Sequence, residues 1–230
     1  MGRPLNRAVV AVVFLIGALP GRSSAGGQTT TFRLDSLNGL EAVHAKTELA
    51  TYRGRKALRL VPVPQAENGD DTMLAILKAS DFKDGVIEAE IAGSPRPGAP
   101  SDARGFVGIA FRVQPGASHY ECFYIRPTNG RAGDQLRRNH STQYVSFPDY
   151  PWFRLRKEEP GVYESYVDVE SGAWTKLKIV VTAVQARLYV NGAEQSALIV
   201  NDLKLGVTHG QVALWADSTT DAYFSNVRIR

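Results

Sequence analysis

The chain has 230 residues, 27 of them basic and 23 acidic, with 43% apolar content and a single cysteine. That size and apolar content allow one large domain with a substantial core. One cysteine excludes an intrachain disulfide framework, so the fold must be held by its core.

The first residues read as a targeting segment. Arg3 and Arg7 precede an apolar run from Ala8 to Leu19, followed by Pro20-Gly21 and the small-residue site Ser23-Ser24-Ala25. This is the order of a secretory signal peptide over 1–25, with cleavage expected after Ala25. The run is too short to cross a bilayer, so the protein is not expected to span a membrane. Cleavage would leave 205 of the 230 residues, 26–230, as one domain. It would remove Arg3, Arg7 and Arg22 and no acid, so the net charge falls from +4 to +1. Nucleic acid therefore loses its main support as a partner. A secreted or periplasmic location follows, with Cys122 expected as a buried thiol.

Strand signals then run to the end of the chain. Thr29–Leu34 is a first strand, expected to pair with the last one. Asn38-Gly39 marks a turn. Lys56–Val61 is a strand that ends at Pro62 and Pro64. Glu67–Thr72 is a polar loop, and Met73–Leu77 is a short apolar stretch. Gly85–Ile91 places Ile87, Ala89 and Ile91 on one face. Gly93–Arg104, rich in Pro and Gly, is a loop.

Gly105–Val113 and His119–Arg126 form a pair across the turn signal Pro115-Gly116. Val107, Ile109, Phe111 and Val113 share one face of the first, opposite Gly108, Ala110 and Arg112. Phe123 and Ile125 share one face of the second, opposite Cys122, Tyr124 and Arg126. Small residues beside Arg and Tyr are what the floor of a concave polar groove needs.

Asn129–Lys157 carries few strand signals and many arginines and aromatics. A long loop of this kind in a compact domain is usually functional or poorly ordered. The run Phe147-Pro148-Asp149-Tyr150-Pro151-Trp152 argues for order. No segment has a convincing helical period, although 134–140 could form a turn. Val162–Val169 resumes the strands.

The clearest pattern is Trp174 to Gly192. Leu177, Ile179 and Val181 alternate with polar residues, as do Ala186, Leu188 and Val190. Ala183–Gln185 links the two runs, and Asn191-Gly192 suits a type I′ turn. At the C-terminus, Val212 and Leu214 alternate with Ala213 and Trp215. Ala222 and Phe224 have one parity, Val227 and Ile229 the other, which predicts a bulge at Ser225-Asn226. The fold class is all-β, an antiparallel β-sandwich of the jelly-roll type.

Trp174, Tyr189-x-Asn191-Gly192, Gly210-x-Val212-x-Leu214 and Phe224-x-Asn226-Val227-x-Ile229 resemble the concanavalin A-like lectin/glucanase and laminin G group. Asp84-Gly85-x-x-Glu88 and Gly105-Phe106-x-Gly108 share the likeness, which covers about residues 29–230. It is closest to exported relatives of the 3-keto-disaccharide hydrolase domain. The resemblance implies the fold strongly and the activity weakly, since the fold hosts lectins, hydrolases and adhesion modules.

Carbohydrate is the partner this implies. Aromatic rings stack on sugar faces, while Arg, Asn, Gln and Asp bind hydroxyls directionally. Arg112, Tyr124, Arg126, Asn129, Asp134, Gln135, Arg138, His140, Tyr144, Tyr150 and Trp152 supply both kinds. The simpler alternative is that Tyr150 and Trp152 pin the long loop while the arginines are solvated.

Cleavage needs two carboxyls about the bond. Glu88 and Glu90 share one strand face, roughly 6–7 Å apart by the rise per residue. An exposed polar face gives the same spacing, and the full alternating acidic motif of the superfamily's glucanases is missing. Glu121 is a third candidate acid, although alternation places it with Phe123 and Ile125. Asp70-Asp71 and Asp168-x-Glu170 offer oxygen ligands of the kind Ca²⁺ takes. The four histidines show no paired metal spacing, and no other cofactor is called for. Three readings follow: a saccharide-binding protein, a glycoside hydrolase and a laminin G-like protein-binding module. Nothing in the sequence speaks to oligomeric state.

Overall fold

The computed structural model describes residues 1–2, 29–63 and 72–230. Nearly all of the expected signal peptide, and the Asp70-Asp71 pair, lie outside the described residues. Within them the chain forms two packed antiparallel sheets.

The first sheet runs in the order β13 (Leu198–Val200), β12 (Gln185–Val190), β11 (Thr175–Thr182), β6 (Gly85–Pro95), β15 (Thr220–Ile229), β4 (Arg55–Pro62) and β3 (Ala45–Tyr52). A further strand, β1 (Thr30–Phe32), also pairs with β15, with Thr30 opposite Ile229. The expected pairing of first and last strands is therefore present. The second sheet runs β10 (Glu164–Ser165), β9 (Thr142–Phe147), β8 (Tyr120–Ile125), β7 (Val107–Val113), β14 (Gly210–Asp217), β5 (Thr72–Phe82) and β2 (Leu40–Val43). This is the antiparallel β-sandwich that the alternation predicts.

The apolar faces meet between the sheets. Leu177, Ile179 and Val181 of β11 pack with Ile109 and Phe111 of β7, Phe123 and Ile125 of β8, and Val212 and Leu214 of β14. Each fully buried side chain of this kind contributes roughly 1.5–3 kcal/mol through apolar area removed from water. In β15 the register slips between Ser225 and Arg228, with Asn226 at φ +51°. That bulge carries the alternation from Ala222 and Phe224 over to Val227 and Ile229, all of them in the core. Asn191 and Gly192 both have positive φ, and the Ala193 N–H donates to the Val190 carbonyl at 3.1 Å, closing the expected turn.

A second bulge was not foreseen. Arg112 sits at φ +53°, and the β7–β14 register shifts between Gln211 and Ala213. Opposite it, a Cβ on Gly210 would stand 2.5 Å from the Val113 carbonyl oxygen, so only glycine fits. The bulge inverts the alternation. Val113, expected inside with Phe111, joins Ala110 in the outer cluster, and Arg112 leaves that face.

Other elements also depart from expectation. The β11–β12 turn has two residues, Ala183 and Val184, because Thr182 pairs with Gln185. β2 and β3 are strands where none was expected. The stretch 129–157 holds an interior strand, β9, and two short helices, α1 (Gln135–Asn139) and α2 (Trp152–Glu158). Of the strand expected over 162–169, only β10 forms. No helix among the described residues is long and apolar enough to cross a membrane.

Candidate functional site

The outer face of the second sheet carries an aromatic row. Tyr120 stacks on Phe147 with centroids 4.9 Å apart, and Tyr124 stacks on Trp215 at 4.8 Å. Phe106 meets Tyr124 edge-on at 6.1 Å. Ala110, Cys122 and Ala213 are packed into this cluster and fully buried. The small residues therefore accommodate rings rather than leaving open space above the sheet. Burial pushes the Tyr124 phenol up to about 12 and the Cys122 thiol well above its usual range.

The row leads to a polar cluster built on Arg126, which follows β8. The Arg126 N–H donates to the Ser141 carbonyl at 2.8 Å, tying the end of β8 to the start of β9. A tight turn then closes from Asn129 N–H to the Arg126 carbonyl, also at 2.8 Å. Asp134 caps α1 by accepting from the Arg137 N–H at 2.6 Å. The helix ends at His140, whose carbonyl accepts from Arg126 Nη1 at 3.0 Å and from Asn129 Nδ2 at 3.1 Å. Arg126 Nη2 donates to the Tyr124 hydroxyl and to Gln143 Oε1, both at 3.1 Å. Its guanidinium stands 5.8 Å from the Phe106 centroid, 5.2 Å from Tyr124 and 6.0 Å from Trp152. These are cation–π distances.

Trp152 opens α2 directly after Pro151, and its side chain is 44% exposed. Arg156, one turn on, lies 4.8 Å from its ring centroid. Arg156 grips Glu164 with Nε at 3.0 Å from Oε1 and Nη2 at 2.6 Å from Oε2. Glu164 is 7% exposed and also receives His140 Nε2 at 3.1 Å. Burial lowers the His140 pKa below its ordinary value, against the opposing pull of Glu164.

Two clefts flank this cluster. One, of about 480 Å³, is lined by Arg104, Phe106, Arg126, Asn129, Arg137 and Trp152 among others. The other, of about 690 Å³, is lined by Pro160, Glu164 and Tyr166 among others. Leu136, His140 and Arg156 line both. Exposed aromatic surface beside fixed guanidinium and amide groups can hold a flat, hydroxyl-bearing ligand.

The structure thus brings Tyr124, Arg126, Asn129, His140 and Trp152 together, with the Asp134 side chain at the cleft rim. Gln135 is spent on Asn139, Nε2 to Oδ1 at 2.7 Å, on the exposed side of α1. Arg138 turns to the Tyr166 hydroxyl at 2.9 Å. Tyr150 packs against the main core beneath Arg154, 4.2 Å from its centroid.

Arg112 and Tyr144 lie elsewhere, contrary to expectation. Arg112 is fully buried and donates to the carbonyls of Lys83, Ala183 and Gly206 at 2.6 to 3.0 Å. The bulge at its own position is the reason. Tyr144 is on the inner parity of β9, in the core, where its hydroxyl donates to Glu121.

The candidate acids are not part of this cluster, although Glu88 and Glu90 together line a separate cleft of about 430 Å³ with Lys176, Lys178 and Tyr189. Glu121 is fully buried and also accepts the Leu205 N–H at 2.8 Å. Burial raises its pKa, against the pull of these hydrogen bonds. Glu88 and Glu90 lie on the first sheet, away from this cluster. Glu90 pairs with Arg55 at 2.8 Å and Glu88 with Arg230 at 3.0 Å. Asp168 and Glu170 hold Arg131 between them, at 3.0 and 2.8 Å. Among the described residues no three acidic, His or Cys side chains group as a metal site would require.

Sequence reasoning missed Glu164, Arg156, Arg104 and Phe106. Phe106 stood in the Gly105-Phe106-x-Gly108 motif. The Arg156–Glu164 pair spans eight residues across a helix end and a loop, and no local spacing signals it.

No family model matches the chain, and no curated protein matches it. Solved structures do match in fold. The carbohydrate-binding module CBM66 from Bacillus subtilis superposes with a TM-score of 0.55 at 15% identity, over 84% of this chain and 96% of that one. Peanut lectin gives 0.54 at 8% identity, over 88% and 96%. The Bacillus licheniformis β-glucanase gives 0.51 at 10% identity, over 89% and 98%. The fold is that of the lectin and glucanase group, as the motif implied.

Proposed function

We propose that this chain is an exported carbohydrate-recognising protein, with residues 26–230 as its domain, that binds a saccharide in the cleft at Arg126 and Trp152. The observation that carries the reading is Trp152. Its half-exposed indole stands beside two guanidiniums and opens onto a cleft edged by Phe106, Asn129 and His140. A large exposed aromatic costs solvation unless something covers it, and a sugar face suits such a ring. The lectin and carbohydrate-binding module that share the fold make saccharide the natural ligand class to test.

A second reading is a glycoside hydrolase resembling the 3-keto-disaccharide hydrolases, for which the sequence motif is the support. One observation favours it: His140 is oriented by buried Glu164 and opens onto both clefts. Such a pair can move a proton. Binding is preferred because Glu164 is already paired with Arg156, and Asp134, which lines the same cleft as His140, is held as the cap of α1.

The test is thermal shift and hydrolysis of plain and 3-keto-oxidised glycosides. A rise in Tm without cleavage supports the binding protein. Cleavage lost on Glu164→Gln supports the enzyme. Silence in both turns the reading toward a protein partner.

A further inference from the structure

We propose that the saccharide taken by this cleft is acidic, carrying a carboxylate or sulfate that pairs with Arg104; the inference rests on the saccharide reading above. Arg104, Arg126, Arg137 and Arg156 all line the one cleft, against the acids Asp102 and Asp134. Three of these guanidiniums are already engaged. Arg126 is spent on His140, Tyr124 and Gln143. Arg137 donates to Asn129 Oδ1 at 2.9 Å and to Thr128 Oγ1 at 3.0 Å. Arg156 is paired with Glu164. Asp134 is held by the helix it caps.

Arg104 differs. It donates only through Nη1, to the Ser101 and Ala103 carbonyls at 2.9 and 3.0 Å. Nε and Nη2 have no bonded acceptor among the described residues. Those two groups form the fork that receives an oxyanion through parallel hydrogen bonds. The surroundings also favour an anion there. Burial, and then the neighbouring charge of Arg137, lower the Arg104 pKa against the pull of Asp102, with a smaller push in the same direction from Arg126. Crowded cations in a partly desolvated site are relieved by an incoming negative charge. A neutral sugar would leave the fork to water. A sugar acid can lay its ring on Trp152 or Phe106 while its charged substituent reaches the fork.

The test is calorimetric titration of the full chain with matched neutral, uronate-bearing and sulfated oligosaccharides on glucan, galactan and mannan backbones. The expected result is about tenfold tighter binding of one acidic series than of its neutral counterpart. That advantage shrinks as salt is raised, because screening acts on partly exposed charges. Arg104→Gln removes the advantage of the acidic series over the neutral one, while Arg104→Lys keeps part of it. An unchanged Tm in both variants shows that the 101–104 loop is intact. Which acidic series binds identifies the group as carboxylate or sulfate. Equal affinity for neutral and acidic series, or an advantage that survives Arg104→Gln, overturns the inference and leaves the saccharide reading standing. Failure of every oligosaccharide to bind overturns both.

Discussion

Arg156 and Glu164 meet through two near-parallel hydrogen bonds, at 3.0 and 2.6 Å, with His140 Nε2 a further 3.1 Å from the same carboxylate. One buried acid therefore fixes the last turn of α2, the end of α1 and the β9–β10 edge together. Glu164→Gln leaves the buried Arg126, at 3.9 Å, and the partly exposed Arg156 without their anion. The expected cost is about 2–3 kcal/mol, read as a shift in the urea midpoint without a change in slope.

Trp152→Ala separates the site from the fold. The ring is nearly half exposed, and Leu155 is the buried residue that anchors α2. Stability should fall by only about 1–2 kcal/mol, the cost of a half-buried ring and its two cation–π contacts. Saccharide affinity should fall about tenfold or more, since stacking aromatics dominate such contacts. Parallel melting and titration of the variant check both halves.

Arg112→Met should do the reverse. It leaves the carbonyls of Lys83, Ala183 and Gly206 without the buried guanidinium that joins all three. A loss of about 3 kcal/mol or more is expected, with saccharide affinity per folded molecule unchanged. Chemical denaturation gives the first quantity and titration well below the melting transition the second.

Glu121 gives a pH dependence with a definite sign. Its carboxyl ionises near 4.5 when unfolded and higher when folded, because burial disfavours the charged form. The folded state holds the proton longer, so stability falls as pH rises from the unfolded value through the folded one. Glu121→Gln removes that descent. Unfolding free energy measured against pH, wild type beside variant, should show the wild-type curve declining relative to the variant across that interval.

Alternation made the fold legible wherever a strand has one apolar face. In β11, β12, β14 and β15 the inward residues are those the period of two selects, and the phase change locates the bulge at Asn226. β9 escaped because both its faces are buried. Thr142, Gln143 and Ser146 are polar yet at most 3% exposed, satisfied by partners such as the Tyr144 and Tyr163 carbonyls, which accept from Gln143. α2 is seven residues long, too short for a period of 3.6 to declare itself. Arg112 was misplaced because alternation was carried through a bulge whose residue trace, Gly210, lies on the neighbouring strand. At the site, Arg126 and Trp152 stood out by type. Glu164, eight residues from Arg156, acquires its meaning only through tertiary pairing.

The two clefts share part of their walls. Leu136, His140 and Arg156 each present one side to either cavity. Were a ligand in one cavity to draw Arg156 from the other, binding in the two would be linked, and reciprocally. Free-energy changes from substitutions at Leu136, His140 and Arg156 will accordingly not sum, even when each is measured with a ligand that fills one space alone.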